Sequence, residues 1–353
     1  MLKRCAKCVL PASYPGITFN QQEVCNYCLA HKRAKPRGKV ELLDLVAPYR
    51  NNNDGEYDCI VAVSGGRDSA FAAYHAVRVL NLRALAYTYD NGFMPEETRE
   101  NVKNIVDILG VDHAVEKDEY MKKNVPLILS SWIRKPSPAM IACLCTGCQT
   151  GYKRGLVKTA QSNKIPLVIT GGGEPQRSFA RDLLSISGGR GKKRLSLGLG
   201  FSREIVRNPY YIFNPNFFAK FAKEFFYRFS YKFEDFKLVR FFKYIEWDED
   251  VILSVIKKEL AWKKPADSKA SWRSDCKIHL LRQYLYLETL GFTKNDELIS
   301  GMVRENMMTR EEGLRRLEND NIISQEFLAG LLDELGLDFA DLNVALREYK
   351  KSD

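Results

Sequence analysis

From residue 58 onward the chain alternates short apolar runs with longer stretches of helix-forming residues. Residues 59–63 are continuously apolar and rich in β-branched side chains, the pattern of a strand buried on both faces. Further strand candidates are 84–89, 114–115 and 167–170, with helices expected over 69–80, 95–109 and 151–163. Such alternation with short loops predicts an α/β fold, a doubly wound parallel sheet covered on both faces, with ligands at its carboxyl edge. Residues 277–353 read as a helical C-terminal region. There Leu280, Leu281, Tyr284 and Leu287 would share one apolar face, and Leu328, Leu331, Leu332 and Leu335 another, ended by Gly336. Thr309 and Glu312 have the spacing of a capping box.

Ahead of this pattern stand Cys5-Ala6-Lys7-Cys8 and Cys25-Asn26-Tyr27-Cys28. The insert between them holds Pro11, Pro15, Gly16 and a short strand candidate at 17–19, and is too small to build a core. Two Cys-x-x-Cys knuckles at this separation predict an N-terminal four-cysteine zinc ribbon, in which Zn2+ supplies the folding energy. A disulfide pair is the alternative. Residues 32–39 are basic, broken by Pro36 and Gly38, and read as a linker. A short helix over 40–49 and a turn cluster at 51–55 follow. The expected organisation is therefore 1–38 as ribbon and linker, 39–210 as the α/β unit, and 211–353 as an aromatic and basic insertion with the helical end.

The junction after the first strand is Ser64-Gly65-Gly66-Arg67-Asp68-Ser69. A strand, a loop of small residues and a helix start present unpaired backbone N–H groups and a positive dipole end to an anion. Glycines let that backbone approach phosphate oxygens closely. The Walker spacing is absent, with no Lys to reach a terminal phosphate. The segment instead resembles the SGGxDS signature of the PP-loop ATP pyrophosphatases, which grip the pyrophosphate of ATP and transfer AMP to a substrate oxygen; a plain glycine turn is the alternative. What this resemblance implies is ATP held by Ser64, Gly65, Gly66 and Ser69, with Asp68 orienting the loop or Mg2+. It also implies that the loop at Asp90-Asn91-Gly92 lies near the adenosine and that Gly171-Gly172-Gly173-Glu174 lies near the phosphates. Asp90 is a candidate for a nucleotide or substrate role, or simply closes a turn. Arg67, Arg177 and Arg181 are candidates for neutralising phosphate charge.

Cys143, Cys145 and Cys148 crowd the start of a predicted helix, where a thiolate is favoured for attack or metal ligation. With the distant Cys276, Cys145 and Cys148 would make a three-thiolate set, the arrangement that leaves one iron of a [4Fe–4S] cluster open. This resembles the iron–sulfur tRNA 2-thiolation enzymes of the PP-loop superfamily. A second zinc, catalytic or resolving thiols at Cys145 and Cys148, and inert buried cysteines are the alternatives. His279, close to Cys276, is the better-placed general-base candidate, whereas His75 reads as packing.

Nine cysteines, many in Cys-x-x-Cys pairs, and no apolar leader after Met1 point to metal or redox chemistry in a reducing cytoplasm. No apolar run is long enough to span a bilayer. The net charge of +10 suits an anionic substrate, nucleic acid or a membrane face without choosing among them. Residues 188–194 form a basic, glycine-rich loop, read as a mobile lid over anions or a solvated loop. The stretch 214–245 carries Phe218, Phe221, Phe225 and Phe229 on one helical face with lysines and arginines between. Packing, docking to a partner or membrane surface, and nucleic-acid stacking are its three competing uses.

Taken together, these segments and Met308-Thr309-Arg310-Glu311-Glu312 are similar to the N-acetyl sugar amidotransferases, PP-loop enzymes of lipopolysaccharide O-antigen and sialic-acid-like sugar synthesis. The resemblance implies conversion of the acetamido group of a (nucleotide) sugar to an acetamidino group, with ammonia from a separate glutaminase subunit and no nucleic-acid partner. The 214–245 stretch has no counterpart in that pattern. The rival reading is a PP-loop sulfurtransferase, in which sulfur from a cluster or persulfide displaces AMP on a tRNA base or small molecule. A non-catalytic ribbon-based nucleic-acid binder is a third, and the intact nucleotide loop argues against it.

Overall fold

A continuous apolar run must be covered on both sides, and β1 (Cys59–Ala62) is: all four residues are buried at the centre of a five-stranded sheet. In the computed structural model, which describes residues 3–33, 35–51, 55–173, 179, 183, 193–211, 236–266, 269 and 275–352, the strand order is β3–β2–β1–β4–β5, with every pairing parallel. The other strands are β2 (Ala84–Asp90), β3 (Asp112–Lys117), β4 (Leu167–Thr170) and β5 (Lys237–Arg240). Each aliphatic side chain so covered contributes on the order of 2 kcal/mol. The chain leaves β1 for β2 on one side, while β4 joins on the other. A topological switch point therefore lies between β1 and β4, where the sheet's carboxyl edge opens a crevice.

The expected parallel α/β sheet, the N-terminal four-cysteine cluster and the helical C-terminal region are all present. Several elements differ in detail. β3 extends well beyond 114–115, because an edge strand carries His113, Glu116 and Lys117 without the apolar alternation that marks a buried one. β5 was not foreseen: only Leu238 and Val239 are apolar, between charged ends, and the strand forms by pairing with β4. Two short helices, α1 (Asn26–Leu29) and α2 (Lys39–Val46), precede the sheet. The helix expected over 69–80 is α3 (Arg67–Tyr74) followed by a π-helical turn over His75–Val79. His75 packs there on Phe71 and Phe241. After α4 (Glu96–Leu109), the unanticipated α5 (Tyr120–Arg134) buries Met121, Val125, Ile128, Leu129 and Trp132, a periodic face present in the sequence but interrupted by Pro126. α6 (Thr146–Ser162) starts earlier than expected, and α7 (Lys193–Arg207) takes in the end of the supposed 188–194 loop. The helix α8 (Glu249–Leu260) is signalled by its N-cap Asp248 and by Ile252, Ile256 and Leu260.

The remaining helices are α9 (Lys277–Leu290), α10 (Lys294–Arg304), α11 (Arg310–Asp320), α12 (Gln325–Glu334) and α13 (Phe339–Ser352). α9 buries Leu281 of the expected face together with Ile278, Leu285 and Tyr286, while Leu280, Tyr284 and Leu287 are half-buried, because the helix lies between neighbours instead of on the surface. The leucine stripe of α12 is buried and Gly336 follows it in the left-handed region. Thr309 caps α11 through the Glu312 amide, whereas the reciprocal capping box belongs to Thr293 and Asp296 on α10.

One core joins the ribbon to these helices. Tyr14, Phe179, Tyr286 and Phe292 form an aromatic cluster with centroids 4.9–6.0 Å apart. Arg4 pairs with the fully buried Asp296 at 2.6 Å, and Arg310 Nε donates to the carbonyls of Cys5 and Cys8 at 3.0 and 3.2 Å. The 17–19 strand reduces to a single bridge, Phe19 with Cys25. The phenylalanines at 217–233 lie outside the described residues.

Candidate functional site

The loop after β1 closes on itself through its two serines. Ser69 Oγ donates to the Gly66 carbonyl at 2.9 Å and accepts from the Ser64 amide at 3.1 Å. Gly65 has φ +76°, and a Cβ there would stand 2.5 Å from the Thr98 carbonyl oxygen on α4, so only glycine fits. Trp262 Nε1 donates to the Gly65 carbonyl at 2.9 Å. These contacts hold the loop at the N-terminus of α3, with its backbone facing the crevice between β1 and β4. Gly171, the first residue after β4, packs flat on this turn: a Cβ would come within 2.5 Å of the Asp68 carbonyl. The Gly172 carbonyl accepts from the Phe242 amide after β5. Glu174, Arg177 and Arg181 lie outside the described residues.

Asp68 keeps 39% of its side chain exposed, while Oδ1 accepts from Arg67 Nε at 2.8 Å and Trp247 Nε1 at 3.3 Å. Arg67 is almost fully buried. Its guanidinium lies over the Trp247 ring at 4.7 Å and pairs with Glu249 at 2.9 Å, so it orders the loop from behind rather than reaching forward to phosphate.

The loop after β2 stands next to it. Asp90 accepts from the Gly92 amide and from Arg99 Nη1, both at 2.8 Å. Burial pushes its carboxyl up, but the Arg99 pair and the Gly92 amide outweigh this and the net shift is downward. Asp90 thus shapes the turn as an anion. Its neighbour Asn91 is buried, with Oδ1 accepting from the Phe93 amide and Nδ2 lying 3.5 Å from Sγ of both Cys148 and Cys276. Cys145 Sγ accepts from Arg282 Nη1 on α9 at 3.2 Å. Cys148 and Cys276, 128 positions apart in sequence, therefore meet at the Asn91 amide, while Cys145 is held by Arg282. Cys143 does not join them; it is buried against Met140. His279 is buried one turn into α9, its amide bonded to the Cys276 carbonyl.

The thiols reach the nucleotide loop through Asp275: a Cβ on Gly66 would lie 3.5 Å from Asp275 Oδ2, one residue before Cys276. The Lys277 amide donates to the Phe93 carbonyl at 2.9 Å, which pins this segment against the β2 loop. α6, which carries Cys148, is drawn onto the sheet by Gly151 and Gly155, where a Cβ would meet the hydroxyls of Tyr89 and Tyr87 at 2.1 Å.

Among the described residues one cysteine group is tight enough to hold a metal ion. At the ribbon, the Cys5–Cys28 and Cys8–Cys25 sulfurs are 3.9 and 3.8 Å apart, and all four lie within 4.8 Å of one another. Four bonds of about 2.3 Å to a tetrahedral ion require sulfurs about 3.8 Å apart, so the set fits one such ion. Hydrogen bonds from Cys25 and Cys28 hold the Cys8 thiol well below its ordinary value. Among the described residues, Cys145, Cys148 and Cys276 do not form so tight a group. Asn91 and Arg282 are directed at these sulfurs. Burial pushes the Cys148 thiol up to about 12, so ligation there must release a proton.

The arrangement brings Ser64, Gly65, Gly66, Asp68, Ser69, Gly171 and Gly172 to one crevice, with Asp90, Cys145, Cys148 and Cys276 beside it. Residue-by-residue reading does not single out Trp262 or Arg282, which depend on which helix faces which loop, whereas Asn91 stands in the loop at 90–92 and Asp275 beside Cys276.

No protein-family model matches the chain. It is 21% identical over 323 residues to an uncharacterized protein of Methanocaldococcus jannaschii, an alignment covering 90% of this chain and 94% of that protein. Among solved structures, it is similar to the U34-tRNA thiolase NcsA from Methanococcus maripaludis with its [4Fe-4S] cluster: TM-score 0.36, 15% identity, 90% of this chain and 89% of that one. NMN synthetase from Francisella tularensis aligns with TM-score 0.35 and 14% identity, over 76% of this chain and 91% of that one. An NH3-dependent NAD synthetase from Campylobacter jejuni aligns with TM-score 0.28 and 12% identity, over 63% of this chain and 91% of that one.

Proposed function

We propose that this chain is an ATP-dependent, AMP- and pyrophosphate-forming amidotransferase acting on an acetamido sugar. The supporting observation is the glycine-buttressed Ser64–Ser69 turn at the switch point of a parallel sheet, with Asp275 against Gly66. ATP binds with its phosphates over the backbone amides of this turn and the N-terminus of α3. Asp68, held by Arg67 and Trp247, orients the turn and faces Mg2+. The amide oxygen of the acceptor attacks the α-phosphorus, forming a P–O bond as pyrophosphate leaves. Ammonia from a partner glutaminase adds to the activated carbon, AMP leaves with the former amide oxygen, and loss of a proton gives the acetamidino sugar. Such steps rest on positioning and charge neutralisation. Zn2+ in the ribbon is structural.

A second reading has one observation in its favour, the convergence of Cys145, Cys148 and Cys276 beside the nucleotide turn. In a PP-loop sulfurtransferase these thiols would hold a [4Fe–4S] cluster, which when bound supplies an open iron for an exogenous sulfur ligand. Asn91 and Arg282 would then hold the ligating sulfurs in place.

Anaerobic protein incubated with ATP, Mg2+ and acetamido nucleotide sugars, with ammonium or with sulfide, separates the two. Release of AMP and pyrophosphate with oxygen replaced by NH in the sugar supports the first. Sulfur incorporation, with iron and sulfide lost in Cys145→Ala, Cys148→Ala and Cys276→Ala, supports the second. Absence of any acceptor-dependent AMP with sugars defeats the sugar assignment.

A further inference from the structure

The nucleotide turn is tied by charge to a helix near the end of the chain. Arg67 Nε holds Asp68 Oδ1, and its Nη1 holds Glu249 Oε1 at the start of α8, at 2.8 and 2.9 Å. The other oxygen of Glu249, Oε2, accepts from Arg316 Nη1 on α11. Arg316 Nη2 in turn meets Glu312 Oε1 at 3.2 Å. Signs alternate along the whole row from Asp68 to Glu312. The side chains of Arg67 and Glu249 are only 3% and 12% exposed and that of Arg316 30%, so solvent screens the inner links far less than it screens a surface pair.

We propose that Arg316 is a positioning residue for the nucleotide turn, acting through Glu249 and Arg67 on Asp68. The inference rests on the nucleotide-site reading of that turn. Glu249 has two oxygens and two arginines, one on each. A guanidinium prefers to engage both oxygens of a carboxylate when they are free. Arg316 occupies Oε2, which holds the Glu249 carboxylate turned so that Arg67 Nη1 meets Oε1 while Nε stays on Asp68. Without Arg316 the carboxylate swings onto the Nη1/Nη2 edge of Arg67 and shifts the guanidinium, so Nε moves off Asp68 and Asp68 loses its alignment over the turn. Trp247 reinforces the arrangement, since its ring supports Arg67 while its Nε1 reaches the same Asp68 oxygen.

The test is the Kd of a non-hydrolysable ATP analogue with Mg2+, measured calorimetrically on the full chain. Arg316→Ala should weaken binding about tenfold, within the coupling range of contacting charges. Arg316→Lys should recover part of the loss, and Glu249→Gln should weaken binding without adding to Arg316→Ala in the double variant. Arg315→Ala, an exposed arginine removed from the same helix, is the control and should bind as wild type does. Thermal midpoints identify any variant that is merely unfolded; a folded Arg316→Ala with wild-type Kd overturns the inference. A wild type that binds no nucleotide removes the nucleotide-site reading as well, which sets that failure apart.

Discussion

Trp262 Nε1 donates a 2.9 Å hydrogen bond to the carbonyl of Gly65, across 197 positions of sequence. The indole is buried, so its donor and the carbonyl satisfy each other where water is absent. Trp262→Phe keeps most of the ring but leaves that carbonyl one donor short, for a cost of about 1–2 kcal/mol. Calorimetry should show weaker ATP binding, with the fold intact by circular dichroism.

Gly65 and Gly110 both have positive φ, +76° and +67°, yet differ in what a methyl group would meet. At Gly110 nothing lies within 4 Å, so Gly110→Ala bears only the backbone strain, about 1 kcal/mol. At Gly65 the Thr98 carbonyl is in the way, and Gly65→Ala should cost about 2–4 kcal/mol and remove nucleotide binding. Chemical denaturation of both variants measures the difference; equal costs would show that the turn yields freely.

The four-cysteine set of the ribbon predicts about one tightly held metal per chain, with zinc the expected ion. Cys25→Ser should lose it. Because ribbon residues and α9–α12 share one core, the loss should lower the melting transition of the whole chain rather than release the first residues alone. Metal analysis and calorimetry of the variant check both parts, and a melting curve unchanged without metal would contradict this account.

Asp58 sets a pH dependence. Its carboxylate is shielded from solvent and accepts from the Asn51 amide and from the amide, Nε and Nη2 of Arg83. Burial pushes its pKa up, but these bonds outweigh burial and the net shift is downward. Depression below the ordinary carboxylate value means that the stabilisation is complete above about pH 4 and is lost as pH falls through the lower folded value. Asp58→Asn should therefore destabilise the protein by about 2–4 kcal/mol at neutral pH, with the gap closing in acid. Denaturation midpoints from pH 7 down to pH 3 test the sign.

The sequence by itself determined the elements whose signal is local. The apolar run at 59–63 reads as a strand buried on both faces, Ser64 to Ser69 as a turn opening a helix, and the two Cys-x-x-Cys pairs supply four thiols at ligand spacing. Leu328 to Leu335 likewise stated which face of their helix is buried. What only the tertiary structure decided depends on neighbours. β5 exists because β4 offers an unpaired edge, not because Lys237–Arg240 reads as a strand. α9 buries Ile278, Leu285 and Tyr286 beyond the face its leucines suggested because it is enclosed by other helices. Arg67 is a candidate for neutralising phosphate charge, and only the fold shows that Glu249 and Trp247 pack against its guanidinium. Cys276 meets Cys148 only because Asn91 and the chain at Asp275 bring the β2 loop and the start of α9 together. Local sequence sets backbone preference and ligand type; the partner of a charge or a sulfur is chosen by long-range packing, which no short window contains.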